Sequence, residues 1–374
     1  MPPRALILGT LVGQAEAIDW LKEHGWDVFA CGRRREGPGV DAADRFFLTD
    51  IVDADAVAEL ARELEVDVVY SVGSDIAMPT VAHVSEKLGL RQFHNVATTQ
   101  ILHRKQELRR FLGAHDLSPV VHDIVRSTAD VEAFDWFPAV VKPTDSQAQR
   151  GIARVGSASD AVAALPAALH ASPTGTAIIE EWLEGPEISI HVMVVDGEVR
   201  FYLPSDRLTW DGPILGVAQA HRLPSRSLTS DWAPAVRRLV DDFVEALGVR
   251  TGPLYFQLML TDAGPRIIEV ASRLDGCHLW RLIEHHTGFD LLGACMGLLA
   301  GDAWTDPEPW SDEPAHELRL LLSEPSHPFR RSEHEALPGE RRIFEQFYLD
   351  EGELPRATNG VIERVGYCIV RENA

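Results

Sequence analysis

The sequence predicts an α/β protein in which a parallel, doubly wound sheet precedes a region of antiparallel hairpins. Short apolar segments alternate with helical patterns from Ala5 to Gly89, which is the β-α-β order of a parallel sheet. Asp196-Gly197 separates two apolar segments, and this dipeptide favours the positive φ angles of a tight hairpin turn. A second pair of segments, 255–260 and 266–270, predicts another hairpin. The change of pattern along the chain indicates more than one structural unit.

Composition limits the partners of the protein. The chain has 374 residues, with 57 acidic and 35 basic side chains and a formal net charge of -22. This charge repels phosphate backbones and anionic lipid surfaces, so neither nucleic acid nor a membrane is expected as a partner. A site for a phosphorylated ligand must therefore carry its own local cations.

The cysteine and hydropathy patterns favour a cytoplasmic location. No CxxC pair occurs among Cys31, Cys277, Cys295 and Cys368, so we expect small buried apolar residues rather than a zinc site or disulfides. The start of the chain lacks an apolar run of signal-peptide length, and nowhere do ~18 apolar residues follow one another.

The first elements are expected to form the parallel sheet. The predicted strands are 5–8, 27–30 and 66–72, and the predicted helices are 15–24, 53–64 and 81–87. Gly9 and Gly13 lack the G-x-G-x-x-G spacing of a dinucleotide site, so a tight strand-to-helix turn is the favoured interpretation of both.

The remaining elements are expected to build the hairpin region. A charged helix is predicted at 99–114 and an amphipathic helix from Val236 to Leu247, ended by Gly248. The predicted strands are 139–142, 152–155, 188–195, 199–203 and 366–370, and 302–314 has the composition of a linker.

Four segments carry residues suited to a nucleotide. Lys142 ends an apolar strand and is followed by a polar loop, 145–151, that could fold over a polyphosphate, although a lysine at a strand end also snorkels to solvent. The segment 178–187 combines an apolar strand with Glu180, Trp182 and Glu187, which suits adenine and ribose, or alternatively a solvated acidic turn.

The second hairpin supplies the third segment. If its register is symmetric about Ala263, Gln257 and Glu269 face each other, and Glu269, Ala271 and Arg273 share one strand face. Oxygen ligands beside an arginine suit Mg²⁺ and phosphate, whereas an exposed polar pair is the ordinary alternative. The fourth segment is Lys105 in the preceding helix, which alone would be an unremarkable surface lysine.

In order and spacing these residues resemble the ATP-grasp superfamily. Val141-Lys142-Pro143 looks like its phosphate-binding strand, and 180–187 looks like its adenine hinge, much as in D-alanine–D-alanine ligases. The segment 269–273 looks like its metal-and-arginine strand, and the Gln257/Glu269 pair is similar to that of carbamoyl-phosphate synthetase large subunits. The resemblance implies a Rossmann-like pre-ATP-grasp domain at 1–100, an ATP-grasp domain at 101–305 with a lid subdomain at about 115–180, and a small C-terminal α+β unit at 306–374.

The resemblance also implies roles for individual residues. Lys105, Lys142, Ser146 and Arg150 would bind ATP phosphates, and the loop 145–151 would be a mobile lid. Glu180 would accept a hydrogen bond from the adenine amino group, the backbone of Glu181, Trp182 and Leu183 would hold the ring, and Glu187 would hold the ribose. Gln257 and Glu269 would hold Mg²⁺ or Mn²⁺, and Arg273, with Lys142, would be catalytic.

The sequence departs from this family in two places. Ala148 stands between two glutamines where the lid is usually rich in glycine, and Ala271 stands where the metal strand usually has asparagine. Alanine cannot ligate a metal, so the number of bound Mg²⁺ ions, one or two, stays open.

The function implied is an ATP-dependent ligase that joins a small carboxylic acid to an amine or amino acid through an acyl phosphate. The alternatives are a carboxylase that uses bicarbonate and a non-catalytic nucleotide-binding protein. Arg207 and His278 are further candidates for substrate contacts, and His285 and His286 lack a third ligand at zinc spacing. The acid and the amine are not readable from the sequence, and a homodimer is one assembly compatible with it.

Overall fold

The N-terminal unit is a parallel sheet, as the alternation of segments predicted. The computed structural model describes residues 1–146, 149–355 and 361–372. The sheet has the order β3-β2-β1-β4, and all neighbouring strands are parallel. Its elements are β1 (Arg4–Leu8), α1 (Val12–Glu23), β2 (Asp27–Gly32), α2 (Gly39–Ala42), β3 (Arg45–Leu48), α3 (Ala54–Glu63), β4 (Val68–Tyr70) and α4 (Met78–Leu88). The edge strand β3 was not predicted, and β4 is shorter than expected.

The prediction of one continuous helix at 99–114 is wrong. The segment consists of α5 (Val96–His103) and α6 (Lys105–Ala114), separated at Arg104, whose φ of -106° and ψ of 117° are extended. The break places Lys105 in the first turn of α6, and its backbone N–H donates to the Thr144 carbonyl at 3.0 Å. The N-terminus of α6 therefore lies beside the loop that follows the Lys142 strand.

A second sheet lies between His122 and Glu181, in the region where a lid subdomain was predicted. Its strand order is β5-β8-β6-β7, and all its neighbouring strands are antiparallel. It has its own apolar core, which includes Val125, Phe134, Val141 and Leu165. The elements are β5 (His122–Val125), α7 (Thr128–Glu132), β6 (Ala139–Pro143), β7 (Ala153–Val155), α8 (Ala158–Ala171) and β8 (Ala177–Glu181).

The largest sheet, the central sheet of the molecule, has eight strands in the order β13-β12-β9-β10-β11-β14-β16-β15. Its elements are β9 (Glu187–Val195), β10 (Glu198–Thr209), β11 (Ala218–Leu223), α9 (Ala233–Leu247), β12 (Gly252–Thr261), β13 (Gly264–Ala271), α10 (Leu279–Thr287), α11 (Leu291–Ala300), β14 (His316–Ser323), β15 (Arg341–Phe347) and β16 (Glu363–Arg371). Both predicted hairpins occur, and the first turns through Asp196 and Gly197 with φ angles of 54° and 86°. Gln257 pairs with Glu269 and Tyr255 with Ala271, as predicted, but a bulge between Gln257 and Leu258 shifts the register by one residue, and the turn is centred between Asp262 and Ala263 rather than on Ala263.

Alternation along β9 gives this sheet two different faces. Ile188, Ile190 and Val192 pack in one core with residues of α6 and α9. The intervening side chains, Glu187, Ser189 and His191, point to the opposite face. That face also carries Leu203 and Leu223, which pack in the core shared with the N-terminal unit. A polar strip therefore lies beside the junction of the central sheet and the N-terminal unit.

The last segment of the chain continues the same sheet. The predicted linker 302–314 has no regular structure, and β14 pairs with β11 immediately after it. β16 then pairs with β14, and β15 pairs with β16. The sequence-based boundary at 305 therefore does not separate two sheets. In the part of the chain that the structure describes, no helix has the length and apolarity needed to cross a membrane.

Candidate active site

Lys142, on β6 in the lid subdomain, belongs to a buried ion cluster. Its Nζ lies 2.5 Å from Glu180 Oε2 on β8. Arg109, on α6, donates to the same carboxylate from Nε at 2.8 Å and from Nη2 at 3.1 Å. Arg109 also donates from Nη1 to the Ile267 carbonyl at 2.7 Å, which ties the lid to the central sheet. The cluster therefore joins three parts of the fold.

The charges in this cluster keep Glu180 ionised. Burial raises the pKa of Glu180, but Arg109 and Lys142 outweigh burial and hold that pKa well below its usual range. Burial lowers the pKa of Lys142, and Glu180 opposes the shift. Two cations against one carboxylate leave a local positive charge, which the acidic chain needs to attract a polyphosphate. A carboxylate has about four acceptor sites, so Glu180 keeps one for an adenine amino group, and that role stays a prediction.

The lid loop, residues 145–151, begins next to Lys105. Lys105 Nζ lies 3.4 Å from the Ser146 carbonyl, and Ser146 Oγ is buried without a hydrogen-bond partner within residues 1–146, 149–355 and 361–372. Asp145 fixes the base of the loop by accepting from Ser172 Oγ at 2.5 Å and Thr174 Oγ1 at 2.6 Å. Gln147 and Ala148 lie outside the described residues, and Arg150 is exposed. The loop is thus fixed at its start, and a donor beside it has no partner.

Two backbone N–H groups of the predicted adenine hinge are already engaged. The Glu181 N–H donates to the Val121 carbonyl and the Trp182 N–H to the Pro138 carbonyl, each at 2.9 Å. The role of the 181–183 backbone in holding the ring stays a prediction, and these two N–H groups are not the ones that would donate to it. Among residues 181–183, Leu183 is the one whose backbone N–H has no hydrogen-bond partner in the described part of the chain. Arg154 covers the Trp182 ring, with its Cζ 4.5 Å from the ring centroid.

Glu187 and Arg207 form an ion pair on the polar strip. Arg207 Nη1 lies 2.9 Å from Glu187 Oε1, and Arg207 Nη2 donates to the Gly216 carbonyl at 2.7 Å. Burial raises the pKa of Glu187, Arg207 lowers it, and Glu269 raises it further. The effect of Glu269 on the pKa of Glu187 indicates that the predicted metal residue and the predicted ribose residue lie close enough for their charges to interact. The roles of Glu187 and Arg207 in ligand binding stay predictions.

The Gln257/Glu269 pair lies on the same strip. Gln257 on β12 is the cross-strand partner of both Glu269 and Ser189, so the pair is next to the β9 residues. Both side chains are half-buried, and no ion pair engages Glu269 within the described ranges. Among those residues no group of three or more His, Cys, Asp or Glu side chains could hold a metal. A metal bound here would therefore take most of its ligands from a substrate and from water.

Arg273 meets the N-terminal unit. Its Nε donates to Asp75 Oδ1 at 2.8 Å, its Nη2 donates to Asp75 Oδ2, and its Nη1 donates to the Leu274 carbonyl at 2.8 Å. These bonds use three of the five guanidinium N–H groups, so one hydrogen on each terminal nitrogen remains for another acceptor. Asp75 thus fixes the plane of the guanidinium and turns its far edge away from the N-terminal unit.

His278 lies outside this group, at the junction of α1, α10 and β16. Its ring stacks on Tyr367 with the centroids 4.6 Å apart, and its Nδ1 is 3.7 Å from Glu16 Oε1. Burial lowers the pKa of His278 to about 4, so the ring is neutral near pH 7. The contacts of His278 are therefore with Tyr367 and Glu16 and not with Lys105 or Lys142.

Several residues that sequence reasoning missed occupy the site. Arg109 follows Lys105 by one helical turn, so an i,i+4 pair of cations was the available signal. Asp75 had no such signal, because 198 residues separate it from Arg273. Arg364 from β16 donates to the Gly276 carbonyl at 2.9 Å, in a segment outside the motifs. His191, whose Nε2 lies 3.2 Å from Asp275 Oδ1, was not predicted either.

The site resembles known nucleotide-dependent ligases. The family model of the phosphoribosylglycinamide synthetase ATP-grasp (A) domain matches residues 109–276. The phosphoribosylamine–glycine ligase of Caulobacter vibrioides is 27% identical over 322 residues, which cover 80% of this chain and 74% of that protein.

Solved structures share the fold over the whole chain. The L-amino acid ligase of Bacillus licheniformis superposes with a TM-score of 0.81 at 18% identity, covering 100% of this chain and 94% of the other. The biotin carboxylase domain of 2-oxoglutarate carboxylase from Hydrogenobacter thermophilus, solved with MgADP and bicarbonate, superposes with a TM-score of 0.79 at 16% identity, covering 100% and 86%.

Proposed function

The chain is a member of the ATP-grasp superfamily and an ATP-dependent ligase, and we propose that it joins a small carboxylic acid to an amine through an acyl phosphate. One observation carries the proposal. The buried cations Lys142 and Arg109 share the Glu180 carboxylate, and Arg109 also donates to the Ile267 carbonyl of β13, the strand that bears Glu269. Cations joined in this way to a strand with oxygen ligands suit a metal-bound polyphosphate.

The side chains fit a nucleotide. Lys105, Lys142 and the unpartnered Ser146 Oγ would bind phosphate oxygens at the N-terminus of α6, where the helix dipole adds favourable potential. Leu183 N–H would donate to the adenine ring, and the remaining acceptor site of Glu180 would take its amino group. Gln257 and Glu269 supply the oxygen atoms that Mg²⁺ prefers, and the ion would neutralise phosphate charge.

The reaction has two steps. A carboxylate oxygen of the acid attacks the γ-phosphorus of ATP, and the bond to the β–γ bridging oxygen breaks, which releases ADP. The amine then attacks the acyl carbon, phosphate leaves with one acid oxygen, and the amine loses a proton. Arg273 would hold the acid carboxylate through the two N–H groups that Asp75 and Leu274 leave unused. Lys142 and Lys105 would keep the γ-phosphate in line, so catalysis rests on positioning and electrostatics.

The relatives support small substrates. The Caulobacter relative is named for an amine and the amino acid glycine, and the Bacillus neighbour is named for L-amino acids. We therefore expect a small acid and a small amine.

The acyl phosphate can be tested directly. Carboxylic acids labelled with ¹⁸O in the carboxylate are incubated with the protein, MgATP and hydroxylamine, which captures acyl phosphates as hydroxamates. We expect ADP, a hydroxamate and phosphate that carries one ¹⁸O atom per turnover. Release of ADP with bicarbonate alone would identify a carboxylase. ATP binding without ADP release for any acid would contradict ligase activity.

Ala271 gives a second test, on the metal strand. It lies on the same strand face as Glu269 and is 4% exposed. Mg²⁺ fills vacant positions with water, so a missing amide ligand should weaken a second ion without abolishing it. Ala271→Asn should lower the Mg²⁺ concentration that gives half-maximal ADP release, and Ala271→Val should not. Equal midpoints for the two variants would place position 271 away from the metal.

A further inference from the structure

Three polar side chains extend the strip beyond Glu187. Arg207 on β10 and His221 on β11 are cross-strand partners, so they point to the same face of the sheet. His191 on β9 lies on that face as well, with its Nε2 3.2 Å from Asp275 Oδ1. Asp275 follows Arg273 by two residues and accepts hydrogen bonds from the Cys277 and Leu279 N–H groups. The set therefore lies between the Glu187 side of the cleft and the loop after Arg273.

Several nitrogen atoms of these side chains are buried without a hydrogen-bond partner in the described part of the chain. His221 is 0% exposed, and neither of its ring nitrogens has a hydrogen-bond partner in the described part of the chain. Arg207 Nε and His191 Nε2 are also buried and unpartnered there, since the contact of His191 with Asp275 is close but not aligned as a hydrogen bond. A buried donor or acceptor left unpaired costs about 1–3 kcal/mol, so the fold retains these groups for a ligand or for water.

The lid loop reaches the same place. A Cβ atom added at Gly216 would lie 3.8 Å from Cγ of Gln149, which belongs to the lid loop. The Gly216 carbonyl is the group that accepts from Arg207 Nη2. Gln149, in the described part of this loop, therefore lies near the Arg207 side of the set.

We infer that His221 and Arg207 form a recognition site for a neutral hydrogen-bonding group, a hydroxyl or a carboxamide, on the carboxylic-acid substrate. The inference rests on the proposed function and names the substrate class that it leaves open. His221 determines specificity and takes no part in bond making.

The local charges favour a neutral group. Arg207 is paired with Glu187, and the charges of Asp275 and Arg364 act on each other, so no net charge is left to bind a second one. A neutral imidazole offers one donor and one acceptor, which complement a hydroxyl or a carboxamide. A second carboxylate would face the acceptor nitrogen, and protonation of His221 is opposed because burial, with Arg207 nearby, lowers its pKa to about 3.

The test compares carboxylic acids that have the same chain length and differ in the group at the far end of the chain. The probes are butanoate, 4-hydroxybutanoate, succinamate, 4-aminobutanoate and succinate, assayed for ADP release with hydroxylamine as the amine. We expect kcat/KM for the hydroxy acid or the amide acid to exceed that for butanoate at least tenfold, about the worth of one buried hydrogen bond. His221→Leu should remove this preference, so that kcat/KM for the hydroxy acid or the amide acid comes within about threefold of that for butanoate, and His221→Gln should restore part of it. His327→Leu, at a side chain that is 75% exposed, is the matched control.

Other outcomes overturn the inference. If the preference survives in His221→Leu, another residue recognises the neutral group. If succinate or 4-aminobutanoate is the best substrate, the site binds a charged group instead. A second arm measures binding of the same acids to the protein saturated with MgADP, by calorimetry. His221-dependent binding of the hydroxy or amide acid supports the inference even if no acid releases ADP and the ligase proposal fails. Binding of no acid overturns both. If His221→Leu does not fold, His221→Gln and His221→Asn decide by the same ratio.

Discussion

Replacing Arg273 with methionine is expected to lower kcat by about 10²- to 10³-fold while ATP affinity changes little. The two N–H groups that Arg273 leaves unused point away from Asp75, and we propose that they stabilise charge on the reacting carboxylate. Such an interaction strengthens as the acyl phosphate forms, so its loss appears in turnover rather than in nucleotide binding. The measurements are kcat from ADP release and the dissociation constant of ATP by calorimetry.

Asp75→Asn is the matched control for this prediction. It keeps the size of the side chain and removes the charge that fixes the Arg273 guanidinium, which retains its bond to the Leu274 carbonyl. We expect a smaller fall in kcat than for Arg273→Met, because the arginine is present but less well oriented. Weak ATP binding with unchanged turnover in Arg273→Met would assign the arginine to the nucleotide instead.

Replacing Lys142 with methionine is expected to weaken ATP binding at least tenfold. The loss of one charge-assisted contact to a phosphate is worth about 1.5–3 kcal/mol. The fold should tolerate the change, because Glu180 keeps two hydrogen bonds from Arg109. Calorimetric titration with ATP gives the affinity, and denaturant unfolding gives the stability. An unchanged ATP dissociation constant would move the phosphate site away from β6.

Arg109→Met separates the structural part of the cluster from its nucleotide part. This change removes three hydrogen bonds and leaves the Ile267 carbonyl and one oxygen of Glu180 without their donors. Breaking a buried ion pair by removal of one partner costs about 3–5 kcal/mol, so the free energy of unfolding should fall more than in Lys142→Met. Equal losses of stability in the two variants would contradict this division of roles.

The sequence by itself determined the local elements and most of the candidate residues. Alternation and turn chemistry act over a few residues, so the Asp196-Gly197 turn, the Gln257/Glu269 register and the end of α9 at Gly248 followed from pattern alone. Lys142, Glu180 and Arg273 were found because each stands in a short motif with its own spacing. Strand β3 escaped notice because it is a short edge strand with no buried residue.

Only the tertiary structure decided which of these residues touch. Glu180 meets Arg109 across 71 positions, and Arg273 meets Asp75 across 198, because packed elements rather than neighbouring residues bring the charges together. The same reason accounts for the last segment, whose strands complete the central sheet by pairing with β11. His221 shows the limit most clearly. In the sequence it is one histidine after a hairpin. Its importance lies in its burial and in ring nitrogens that have no partner among the described residues, and both depend on the pairing of β11 with β10 and β14.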